Sequence, residues 1–191
     1  MTKTAINNAI VAGFPHARIK WSGAALKKST PETLANIHKS FDTFAKRQGK
    51  PRERLYVRMV HLTNGDCYPS ARTRNWIAWM GMYNAIAYYI GVNVSKFTDD
   101  MIRNLYEPHE SVPWHLVDSP DEWILHELGH IRARCRELQP AVSKNLLHHA
   151  SAALSGQASL SEHELYAELF AARVAGTSIP DTFSRYMESI Q

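Results

Sequence analysis

Apolar residues recur at helical spacing early in the chain and again near its end, and a block of alternating positions lies between. The first periodic stretch predicts a helix over 31–48. Leu34, Ile37, Phe41 and Phe44 form one stripe, Ser29-Thr30 can cap it, and Pro31 suits its first turn. Gly49 and Pro51 end it. A strand over 55–62 follows and leads into Asn64-Gly65, the strongest short hairpin signal. Ile86, Tyr88, Ile90, Val92 and Val94 then alternate, so 86–94 reads as a strand, and 75–94 should complete a small sheet. A short helix is expected over 95–105.

After residue 118 the period is helical to the end. Ser119-Pro120-Asp121-Glu122 combines an N-cap, a first-turn proline and a capping-box glutamate, opening a helix that should run to Leu138. Pro140 breaks it, and a second helix covers 141–154 before Ser155-Gly156 punctuate. Ser161 opens a third that reaches Ala175 and stops at Gly176, and Pro180 starts a last short one. The order is helix, small sheet, then helices: an α+β fold in a single domain over 1–191.

Composition changes this picture in four places. From Asn75 to Ser95 no residue is charged, long enough in principle to span a bilayer. Its asparagines, glycines and alternating pattern predict buried sheet instead. Two cysteines, Cys67 and Cys135, exclude a disulfide framework or a cysteine-rich zinc module and fit a reducing compartment. The apolar patch around Ile10–Phe14 is too weak for a signal peptide, so a cytoplasmic location is expected. Finally, the net charge of +4 hides a split. Residues 1–74 carry 14 Lys+Arg against 4 Asp+Glu (+10), and residues 75–191 carry 8 against 14 (−6).

The chemistry concentrates at His126-Glu127-Leu128-Gly129-His130, an HExxH motif. On a helix the two histidines share a face one turn apart, so both imidazoles can reach one tetrahedral metal ion. Glu127 lies beside them, placed to take a proton from an attacking water rather than to bind metal. A zinc hydrolase needs a third protein ligand. An HExxHxxGxxH arrangement is excluded, because Ala133 and Arg136 occupy the glycine and last histidine positions. The candidates are Glu162, His163, Glu164, Glu168, His148 and His149. Glu164 is preferred: Ala167 and Ala171 on its helix would allow close approach to the HExxH helix. Glu168, one turn on, could then accept a hydrogen bond from a ligand histidine. His149, 19 residues after His130, is the alternative third ligand.

His126-Glu-Leu-Gly-His130 followed by Glu164-Leu-Tyr-Ala-Glu-Leu-Phe-Ala171 resembles the gluzincin type of zincin metallopeptidase. It is most similar to the ImmA/IrrE-like group, with HELGH and then ExxA(N/D/E)xFA. The resemblance covers about 119–176, and 1–75 carry none. It implies a zincin-like fold and zinc-dependent peptide-bond hydrolysis with Glu127 as general base. It also implies that the strand at 86–94 lies at the sheet edge above the zinc and pairs with extended substrate.

A further donor should face the oxyanion, with Tyr166, His163, His149, Tyr186 and Arg132 as candidates. Lys27-Lys28, Lys46-Arg47, Lys50-Arg52-Arg54 and Arg72-Arg74, with Tyr56, Tyr68 and Trp76 nearby, could contact nucleic acid. Alternatively they hold an acidic or nucleic-acid-bound protein substrate near the metal site. Two function classes follow. One is a cytoplasmic zinc peptidase with a narrow protein or peptide substrate. The other is a nucleic-acid-associated or protein-binding module, phage- or antirestriction-like, whose zinc site is structural or vestigial.

Overall fold

A computed structural model of the chain describes residues 1–22, 24–47, 57–63, 78–82, 88–94, 116, 120–135 and 144–189. Helix α1 (Lys3–Gly13) opens it, capped by Thr2, whose hydroxyl accepts the Ala5 N–H at 3.2 Å. It was not expected from the sequence, because alanine and glycine dilute its apolar stripe of Ile6, Ala9, Ile10 and Gly13. Strand β1 (Arg18–Trp21), the single turn of α2 (Ala25–Lys28) and helix α3 (Pro31–Arg47) follow. Thr30 caps α3 by accepting the Thr33 N–H, and Leu34, Ile37, Phe41 and Phe44 are buried as the periodicity predicts. The patch around Ile10–Phe14 joins these two helices: Phe14 stacks on Phe44 at 4.9 Å and meets Phe41 edge-on.

Strands β2 (Val57–Thr63), β3 (Ala78–Met82) and β4 (Tyr88–Asn93) complete a four-stranded sheet in the order β1-β2-β4-β3. β1, β2 and β4 run parallel, and β3 is antiparallel to β4. Rows such as Ile19–Val60–Ile90 and Trp21–Leu62–Val92 line one face. Val60, Leu62, Ile90 and Val92 there are wholly buried beneath the helices.

Two expectations are corrected. Asn64-Gly65 itself lies outside the described residues, but both sides of β2 are taken by parallel partners, leaving no edge for a hairpin strand. The strand at 86–94 is not an edge. β4 lies between β2 and β3, and its Gly91 and Asn93 are buried like its apolar residues. Among the described residues the antiparallel edge strand is β3. The helix expected over 95–105 lies outside the described residues.

The second half carries α4 (Pro120–Cys135), α5 (Lys144–Ala153), a 3-10 turn (Gln157–Ser159), α6 (Glu162–Ala175) and α7 (Asp181–Ser189). α6 begins and ends where its caps predict. Ser161 Oγ accepts the Glu164 N–H, and Gly176 takes the left-handed conformation at φ 83°. Arg47 donates to the Val174 carbonyl at 2.7 Å, putting a cation on the negative end of α6 and tying α3 to it. One core lies between the sheet and α1, α3, α4 and α6. A second lies among α5, α6 and α7, and Phe170 packs against both. Among the described residues no helix is long and apolar enough to cross a membrane.

Candidate metal centre

Helix α4 buries Ile124, Leu125, Leu128 and Ile131 in the first core. That orientation turns His126 and His130 toward α6, with the two rings edge-to-face at 4.8 Å. Opposite them α6 presents Glu164, Ala167, Glu168 and Ala171, one stripe at helical spacing. The helices meet where side chains are smallest. A Cβ built on Gly129 would stand 2.7 Å from Ala167 Cα and 3.1 Å from its carbonyl oxygen. Ala167 permits the approach as expected, but Gly129, which faces it, was not anticipated from the sequence.

This approach brings three ligand atoms together. His126 Nε2 and His130 Nε2 are 3.1 Å apart, and Glu164 Oε2 lies 3.2 Å from the first and 3.4 Å from the second. A tetrahedral ion with bonds of about 2.0–2.1 Å needs ligands about 3.3–3.4 Å apart. The triangle therefore fits such an ion. His126, His130 and Glu164 are the group of metal-ligating side chains found among the described residues.

The surroundings hold these groups in place. Glu168 is wholly buried; its Oε1 lies 2.7 Å from His126 Nδ1, so the imidazole can direct Nε2 at the centre. The other oxygen accepts the Leu116 N–H at 2.6 Å and the Ser155 hydroxyl at 3.0 Å. Gln157 donates to Glu164 Oε2 at 2.8 Å. Glu127, half-buried on α4, is not a member of the ligand triangle. Ser155 and Gln157 were missed from the sequence. Ser155-Gly156 reads there only as punctuation, and no local pattern joins Gln157 to a carboxylate seven residues on.

The remaining candidates fall elsewhere. His149 is exposed, and its ring stacks on Phe183 at 5.5 Å, so it is not in the ligand group. His148 and His163 are exposed, and Glu162 is half-buried at the first turn of α6. Tyr166 is buried against Phe170, and Tyr186 packs on the second core with its hydroxyl enclosed. Burial, with the charge of Glu162 and neighbouring Tyr166, pushes the Tyr186 phenol up. Arg132 is buried on α4.

Of the basic clusters, Lys46 pairs with Asp42, Arg47 caps α6, and Lys27-Lys28 are exposed. Lys50, Arg52, Arg54, Arg72 and Arg74, with Tyr56, Tyr68 and Trp76, lie outside the described residues. Exposed Arg18 and Lys20 stand on β1, at the opposite sheet edge from β3.

Electrostatics tie metal binding to protons. Burial alone would lower the His126 pKa. Hydrogen bonds to Glu164 and Glu168, with the charges of Glu168 and Glu127, outweigh it and push His126 up to about 10. Glu164 is held well below the usual carboxylate range: burial opposes this, but hydrogen bonds to His126 and His130, the His130 charge and the Gln157 amide prevail. The metal-free protein therefore keeps a charged pair across the site. The raised His126 stabilises the fold below its unfolded pKa of about 6.5, and that contribution is lost as pH rises through about 10. Glu164's contribution is present above the ordinary carboxylate range and lost on acidification.

An arriving ion must displace the His126 proton. At pH 8, metal binding is expected to release about one proton, falling toward zero as pH passes about 10. Calorimetry in buffers of different ionisation heat measures this; absence of proton release at pH 8 contradicts it.

No protein-family model, no curated protein and no solved structure matches the chain.

Proposed function

We propose that the protein is a zinc-dependent metallopeptidase with a zincin-like arrangement of the gluzincin type. The observation that carries this reading is the triangle of His126, His130 and Glu164, with sides of 3.1–3.4 Å, beside a glutamate that is not one of its corners. Two imidazoles and a carboxylate suit zinc among the common divalent ions, and three protein ligands leave a fourth position for chemistry. A purely structural zinc site closes all four positions and has no use for Glu127.

In this reading His126, His130 and Glu164 hold the ion, which when bound would polarise the scissile carbonyl and acidify water. The Glu127 carboxylate takes the proton of the attacking water and passes it to the leaving amine. Glu168 keeps the His126 ring turned so that Nε2 faces the centre. Because β3 is an edge strand among the described residues and packs beside α4, which carries the histidines, it would offer an extended peptide a ladder of main-chain partners.

A mixture of proteome-derived peptides, analysed by mass spectrometry, tests the reading. Cleavage should appear with the purified protein, stop on chelation and return when zinc is added. Cleavage that continues in chelator, or no cleavage with zinc present, contradicts it.

A further inference from the structure

We infer that Gln157 is a positioning residue for the metal centre, fixing which oxygen of Glu164 meets the ion and how strongly it binds. The inference rests on the metal-centre reading above. Glu164 Oε2 faces both histidines, at 3.2 and 3.4 Å, and the same oxygen accepts the Gln157 amide at 2.8 Å. A carboxylate oxygen has two lone-pair directions. With one occupied by the amide, the other is aimed into the triangle, so Glu164 binds through one defined oxygen in one orientation.

The turn that carries Gln157 is itself anchored. Ser155 Oγ accepts the Ala158 N–H at 3.1 Å while donating to Glu168 Oε2 at 3.0 Å. Thus one short stretch, 155–158, grips two of the three glutamates of α6: Glu164 through Gln157 and Glu168 through Ser155. Gln157 is only half-buried and bonds to Glu164 by its side chain, so its replacement spares the cores.

Co2+ titration of the wild type, Gln157→Met, Glu164→Ala and the double variant tests this. Methionine keeps the length of the side chain and removes the donor. Gln157→Met is expected to bind Co2+ about tenfold to a hundredfold more weakly and to shift the visible absorption of the bound ion. In the Glu164→Ala background the same substitution should change neither affinity nor spectrum, because its effect passes through Glu164. Gln157→Leu, which also lacks the donor and adds no charge, should weaken binding in the same direction and serves if the methionine variant folds poorly.

Wild-type affinity and spectrum in Gln157→Met, or equal losses with and without Glu164, overturn the inference while leaving the metal centre intact. A wild type that takes up no Co2+ overturns the metal centre itself and this inference with it.

Discussion

Replacing Glu127 with glutamine is expected to lower peptide cleavage by about 10²–10⁴-fold, the usual worth of a positioned general acid–base group. Glutamine has the same size and can still hydrogen-bond, but it cannot accept the proton. Glu127 is outside the ligand triangle, so the variant should bind zinc with affinity close to wild type. A small change is expected, because the negative charge of Glu127 helps to raise the His126 pKa, and without it the ion competes with a more weakly held proton. Loss of turnover with retained zinc is the combination to look for. Activity near wild type would remove Glu127 from the reaction. Loss of zinc together with activity would make it a structural part of the site.

The second large effect is expected at Gly129. Alanine there gains helix propensity of up to about 1 kcal/mol. However, the new Cβ would meet Ala167 Cα at 2.7 Å, its carbonyl oxygen at 3.1 Å and Phe170 Cβ at 3.2 Å. Two of these are main-chain atoms on a packed helix, which cannot swing aside, and overpacking of this kind costs about 1–3 kcal/mol. The clash should therefore win, with Gly129→Ala less stable by up to about 2 kcal/mol despite the better helix former.

The consequence for the site is larger than for the fold. The histidines are on α4 and Glu164 is on α6, so separating the helices opens the triangle, and metal affinity should fall by tenfold or more. Trimming Ala167 to glycine should not restore it, since the contact is to the main chain. Denaturant melts and a zinc-chelator competition measure the two effects. An alanine variant as stable and as tight as wild type contradicts the packing account.

The elements with local punctuation were legible in the sequence. Pro31, Ser161 and Gly176 mark helix ends that α3 and α6 observe, because caps and breakers act within a turn of the chain. The HExxH pair was legible for the same reason, since helical spacing sets which side chains share a face; Glu164, on another helix, was preferred through its small neighbours Ala167 and Ala171, with His149 as the alternative. Strand pairing is settled by distant residues, and there the reading failed. Asn64-Gly65 suggests a hairpin, yet β2 is enclosed by parallel partners, and the strand expected at the edge is interior. Helix α1 was hidden because its buried face uses Ala9 and Gly13 beside Ile6 and Ile10. Gln157 and Ser155 reach their carboxylates because the 155–158 turn folds back onto α6, and the Leu116 N–H arrives from 52 residues away in sequence, so no spacing announces them.

Metal content is the most direct test of the metal centre. Wild type, Glu164→Ala and His149→Ala should be purified in parallel, equilibrated with zinc and assayed by elemental analysis and chelator competition. The expected result is one tightly bound zinc per chain in the wild type and in His149→Ala, with binding strongly weakened in Glu164→Ala. Wild-type zinc affinity in Glu164→Ala, or a wild-type protein that binds no zinc, would contradict the assignment of His126, His130 and Glu164 as the metal centre.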